Sequence, residues 1–257
     1  MIRAALLLTA VGAVFAAAPT WAAPPVVAAP AGAAPVLATP AVARPAAAPV
    51  VEQMVVFRSG RAVTKKVAAR GVSVTVGRRR CAAGTGTALA ALVRSRPARL
   101  RLRDFGSCSR RARDGSGLFV SGIGSDRNRG RNGWVYKVGR KAATAGAADP
   151  TGPFGSGRLR AGRRVTWFYC RLGRQGCQRS LELRATPQPG GVAVAVAGYD
   201  DQGRSQRVPG ATVRLGALSQ QTGANGVAGF AVPPGSYPAF AAKAGFVRSF
   251  TERIVVR

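Results

Sequence analysis

The sequence predicts an α+β unit, one main helix on a mixed sheet, followed by an all-β sandwich. Between Val51 and Ala185 the apolar residues change period. They alternate in "VSVTV", fall at helical spacing in "TALAALVRS", and alternate again in "GLFVSGIG", "GWVYKVG" and "RRVTWFYC". Beyond residues 186–191, "TPQPGG", only short alternating stretches follow, broken by Gly, Asn and Pro turns. The first unit is therefore assigned to residues 51–185, the linker to 186–191 and the sandwich to 192–257.

Ahead of these units, "MIRAALLLTAVGAVFAAAPTWA" has one basic residue, an apolar run and small residues approaching Ala22. That is the layout of a secretory signal peptide, assigned to residues 1–22. Residues 23–50 are almost all Ala, Pro and Val and predict a semi-rigid tether, because frequent proline removes backbone donors and favours extended chain. No later segment is long and apolar enough to span a bilayer, so no membrane span is expected in the mature protein.

Within the first unit, Thr87 is positioned to cap a helix whose Leu89, Leu92 and Val93 share a face. Trp134, Tyr136 and Val138 fall on one side of a strand, with Val135 and Lys137 on a half-exposed other side. Val165, Trp167 and Tyr169 likewise share a face. Four cysteines, Cys81, Cys108, Cys170 and Cys177, follow the signal. Two disulfides are expected of an exported chain, and three connectivities are open to four cysteines. The pairing Cys81–Cys108 with Cys170–Cys177 is favoured because each bond then encloses one supersecondary unit.

At this point the residues carry a resemblance. The order "VSVTV", "GTALAALV", "GLFVSGIG", "GWVYKVG", "RLRAGRRVTWFY" resembles the bacterial domain family of unknown function that is similar to the C-terminal domain of transcobalamin. That resemblance implies a β-grasp-like fold over roughly residues 70–170. It also implies small-molecule binding, a corrinoid included, at the aromatic strand ends of Trp134 and Tyr136. The second unit, with "GATVRLG", "ANGVAGF" and "PPGSY", looks like the carboxypeptidase-regulatory or transthyretin-like family, which implies a non-catalytic spacer or adhesion module.

The formal net charge is +30, from 39 basic and 9 acidic residues. Residues 51–189 carry 30 of the basic and 6 of the acidic ones, whereas 190–257 carry 7 and 3, so the excess belongs to the first unit. Such a charge favours anionic polymers, although arginine beside abundant Ala, Gly and Val is also what a GC-rich genome encodes. Arg127, Arg129, Arg131, Arg140 and Lys141 flank the aromatic strand at its turns, where guanidinium groups stay solvated. With Trp134 and Tyr136 they form the candidate binding set.

The chain has no histidine, which removes histidine-based triads and the common catalytic zinc sets. The "DRNRG" stretch starts like a calcium loop, but Lys137 stands where the closing glutamate belongs. No catalytic residue, metal ligand or cofactor is expected. The sequence thus predicts a secreted, non-enzymatic binding or adhesion protein, held non-covalently at the cell surface. Its expected partner is an acidic cell-surface polymer or an envelope protein, with extracellular nucleic acid possible by charge.

Overall fold

The computed structural model describes residues 47–106, 108 and 117–257. The signal peptide and nearly all of the tether lie outside them. Ala46–Arg257 forms one compact unit. Its described residues contain eighteen strands in five sheets and a single helix of eight residues. The chain is therefore mostly β, and the expectation of an α+β unit built on a main helix is corrected. The physical reason lies at the helix ends. Thr87 caps the start of α1 (Ala88–Ser95) by accepting the Ala90 N–H, and Arg96 ends it after two turns in the left-handed conformation, φ 47°. Pro97 follows, and the chain returns to strand at Leu100.

The first sheet joins β1 (Val50–Val56), β2 (Ala62–Ala68), β8 (Gly133–Val138), β9 (Lys141–Ala142) and β10 (Arg164–Cys170) in the order β2-β1-β10-β8-β9. Only the β1–β10 pairing is parallel. On one face Val51, Val55, Val165, Trp167, Tyr169, Trp134, Tyr136 and Val138 join Leu89 and Leu92 of α1 in a common core. The shared faces follow from the register, Trp167 opposite Tyr136 and Tyr169 opposite Trp134. Two smaller sheets complete this half: the hairpin β3 (Val72–Val76) with β4 (Arg79–Ala83), and the set β5 (Leu100–Asp104), β6 (Leu118–Ile123) and β7 (Asp126–Arg127).

Two four-stranded sheets enclose the second core. One has β12 (Gly191–Tyr199) at its centre, paired with β11 (Ser180–Gln188), β13 (Ser205–Arg207) and β16 (Val227–Ala231). The other runs β15 (Leu218–Gln221), β14 (Thr212–Leu215), β17 (Gly235–Ala242) and β18 (Glu252–Val256). Val192, Val194, Val196 and Phe230 from the first meet Val213, Leu215, Ala239, Ala241 and Ile254 from the second. Strand β11 begins at Ser180 and runs through residues 186–188, so the segment read as a linker is strand and tight turn.

The two halves share a third core. Met54, Val56, Phe168 and Cys170, on the far face of the first sheet, pack against Val247 and Phe250. Lys137 sits on that same face and is completely buried, not half-exposed as its alternation implied. Its Nζ donates to Tyr199 O and Asp200 O at 3.0 Å each and lies 3.4 Å from Asp201 Oδ1. Burial pulls the Lys137 ammonium below its ordinary range, with Asp201 opposing the shift. Nearby, Arg164 bridges Glu52 and Glu252 and lies over the Phe250 ring. Both faces of the first sheet are thus closed, one by α1 and its neighbours, the other by the second half.

Disulfides link Cys81 to Cys108 and Cys170 to Cys177. The second bond spans only 7 residues. Opening it with the double change Cys170→Ser, Cys177→Ser is expected to cost about 2–3 kcal/mol through the freed unfolded chain. A shift in urea midpoint at unchanged slope measures that cost; an unchanged midpoint would mean the loop is held by its other interactions.

Candidate functional site

The first sheet ends, at the C-terminal tips of β1 and β10, in a cluster of arginines. Parallel pairing of these two strands brings Arg58 and Arg171 to the same end. The turn before β8 adds Arg127, Arg129 and Arg131. This turn is fixed from inside: Asn128 Oδ1 accepts the Trp134 N–H at 2.9 Å while Asn128 Nδ2 donates to Val120 O, and Arg129 bridges to Asn132. Gly133 is needed there, since a Cβ would lie 2.7 Å from the Asn128 side chain. Three further bonds tie the pieces together. The Arg58 N–H donates to Asp126 Oδ2, the Tyr169 hydroxyl donates to Arg127 O, and the Leu172 N–H donates to Asn132 Oδ1.

Scaffolded backbone and free side chains result. Arg58, Arg61, Arg127, Arg129, Arg131 and Arg171 are all exposed, and among the described residues none of them pairs with a carboxylate. Arg58 lies over the Tyr169 ring, 5.1 Å from its centroid, and Arg61 over Phe57 at 4.4 Å, so both guanidinium groups rest on aromatic faces. A cleft of about 270 Å³ opens beside them, between residues 56–60, the end of β10 and the segment 243–247. Arg58, Arg171 and Lys243 line it, with Gln178 and the aromatic residues Phe168, Tyr169 and Phe246, and no acidic residue among the described lining. Cations on an aromatic floor are suited to a carboxylate, phosphate or sulfate carried on an otherwise uncharged body.

The structure separates the residues expected to act together. Arg140 and Lys141 lie at the other end of β8, about 17 Å along the strand at roughly 3.3 Å per residue. Arg140 is occupied, paired with Glu182 at 2.8 Å and set over the Tyr199 ring. Trp134 and Tyr136 are 3% and 7% exposed and belong to the first core. The Tyr136 ring stacks on Trp167, its hydroxyl donates to Ala145 O, and burial, with the Asp149 charge, raises its pKa. Arg58, Arg171 and Lys243 escape a reading of the sequence alone. An arginine just beyond each of two aromatic strand ends, "VVFR" and "FYCR", is the available signal, but it becomes a cluster only once those strands pair in parallel.

Five of the described carboxylates stand in ion pairs. Glu52 and Glu252 are held by Arg164, Glu182 by Arg140, Asp200 by Arg204, and Asp201 stands beside Lys137. Among the described residues no group of three or more metal-ligating side chains is present. No described helix is long and apolar enough to cross a membrane. Comparison with protein-family models, curated proteins and solved structures gives no match for this chain.

Proposed function

We propose that this is an exported, non-enzymatic binding protein that holds an acidic polymer of the cell envelope against the arginine-rich end of its first sheet. The observation that carries the reading is the convergence of Arg58, Arg127, Arg129, Arg131 and Arg171, unpaired with any described carboxylate, on hydrogen-bonded turns at one edge. The two disulfides fit an oxidising, extracellular setting. Non-covalent retention at the surface follows from the same interactions, since a polymer anchored in the envelope would hold the protein there. A corrinoid fits less well, because Trp134 and Tyr136 are core residues, 3% and 7% exposed.

The test is salt dependence. Teichoic acid, an acidic polysaccharide and DNA are titrated at matched charge density near physiological salt. Neutralising several anions releases counterions, so log affinity is expected to fall linearly with log salt. Replacing Arg127, Arg129 and Arg131 with serine should make that slope shallower by about 1 for each anionic group no longer neutralised, while each change alters stability by less than about 0.5 kcal/mol. Lys141→Ser, at the opposite end of β8, should leave the slope unchanged. Preference for DNA would move the assignment to extracellular nucleic acid. Equal weak binding of all three polymers would mean that the charge only mirrors genome composition.

A further inference from the structure

The cleft beside Arg58 does not end at Lys243. A second hollow of about 340 Å³ adjoins it, and the two share Val56, Gly60, Lys243, Ala244 and Phe246 in their linings. Their chemistry differs. The first carries Arg58 and Arg171 beside Lys243, whereas the second adds Thr212, Ala242 and Arg248. The Arg248 guanidinium is already engaged, 3.8 Å from the Phe240 ring centroid and donating to Thr251 Oγ1. Neither described lining includes an acidic side chain.

The walls are held from behind. The Phe246 N–H donates to Lys243 O, closing a turn, and the Val247 N–H donates to Arg179 O, tying the segment 243–247 to the residue before β11. Gln178 Nε2 donates to Tyr169 O, Gln178 Oε1 accepts the Arg171 N–H, and the Tyr169 hydroxyl is used on Arg127 O. With those groups occupied, the strong donors left to the first hollow are the Arg58 and Arg171 guanidinium groups and the Lys243 ammonium, which gives one bond to Pro209 O. No described carboxylate pairs with any of them.

Several cations with no acid among them favour a dianion over a monoanion. A phosphomonoester is such a group. It carries close to two charges at neutral pH, since its second pKa is about 6, and its oxygens accept the paired donors of a guanidinium fork. Carboxylates, sulfate esters and phosphodiesters carry a single charge. We infer that the first hollow takes an organic phosphomonoester, with its small uncharged body in the second hollow against Phe246. The inference rests on the reading of this end of the sheet as an anion site and narrows it. Inside a phosphodiester polymer every phosphate is a monoanion, so only a chain end, or a free phosphorylated molecule, presents the dianion.

Phenyl phosphate is the probe, compared with phenyl sulfate and methyl phenyl phosphate, which have nearly the same shape and a single charge. Calorimetry on the full chain at about pH 7.5, above the second phosphate pKa, is expected to give one phenyl phosphate site. Its affinity should exceed that of either monoanion about tenfold, because the added charge faces unpaired cations. At about pH 5 the probe is itself a monoanion, so the advantage should vanish as pH falls. Arg58→Gln, Arg171→Gln and Lys243→Gln should each weaken phenyl phosphate binding about tenfold, as loss of a hydrogen bond to a charged group does, and Lys141→Ser should not. In the unaltered protein, titration should shift the nuclear magnetic resonance signals of the Phe246 ring and of the Arg58 and Arg171 side-chain N–H groups. No binding at millimolar concentration overturns the inference, as do equal affinity for the three probes at the higher pH and binding that leaves those signals unmoved. Teichoic acid with a terminal phosphomonoester, before and after phosphatase treatment, separates the sources. Competition with phenyl phosphate that is lost on treatment identifies a chain end, and no competition from either form identifies a free phosphorylated molecule. Equal competition from both forms means that internal diesters bind, which also overturns the inference. Failure of phenyl phosphate while Arg127, Arg129 and Arg131 still set the polymer salt slope removes this inference alone; the reverse pattern removes the polymer reading alone.

Discussion

Lys137→Met is expected to destabilise residues 46–257 by about 3–5 kcal/mol, the typical cost of breaking a buried ionic interaction by removing one partner. The ammonium is fully buried and serves three acceptors at once, the carbonyls of Tyr199 and Asp200 and the carboxylate of Asp201. Methionine fills much of the same volume but removes the donor shared by the Tyr199 and Asp200 carbonyls at a fully buried position, and the partner of a partly buried carboxylate. Chemical denaturation, followed by tryptophan fluorescence for the first half and far-ultraviolet circular dichroism for the whole, measures the loss. Asp201→Asn should cost less, because both carbonyl bonds survive it. A loss below about 1 kcal/mol for Lys137→Met would show that water or rearrangement replaces the lysine, and that it does not fasten the halves together.

Phe250→Ala is expected to cost a similar amount, about 3–5 kcal/mol, as large-to-small changes of buried phenylalanine do. The ring closes the core shared between the halves, against Met54, Val56 and Phe168, and carries the Arg164 guanidinium 4.9 Å from its centroid. The form of the transition matters as much as its midpoint. If the shared core couples the halves, unfolding of the unaltered protein is a single step, and Phe250→Ala shifts the signals of both halves together. Two separate steps, with only the later-encoded half shifted, would show that each half is stable alone.

Neither expectation can be drawn from residue order. Alternation correctly groups Trp134 with Tyr136 and Val165 with Trp167 and Tyr169, because those residues serve a single face within one strand. The cap at Thr87 is also visible, since capping is local. The helix it starts is real but short, and two turns point to a fold class that the eighteen strands outweigh. Lys137 reads as half-exposed because the acceptors that hold its ammonium lie outside residues 51–185. Those partners are Tyr199, Asp200 and Asp201, more than 60 residues further along the chain. The arginine edge is legible in part. Arg127, Arg129 and Arg131 lie in one turn and can be picked out together, whereas Arg58, Arg171 and Lys243 meet only through pairings that no short-range pattern encodes. Arg140 and Lys141 join the same candidate set because proximity in sequence hides the length of the strand between them.

The central pairing of β1 with β10 joins Glu52 to Arg164, and the far side of that sheet is closed by residues near the C-terminus. Such a topology has high contact order, and the entropy of closing loops this long must be met before the native interactions reward it. The first strand therefore finds β2 at once on one edge, but its other edge has no partner until β10, more than a hundred residues later. Were the chain exported as proposed, that delay would be an advantage. A sheet that cannot be completed early would leave the chain threadable, with its final shape, and the Cys81–Cys108 and Cys170–Cys177 bonds, formed only on the far side.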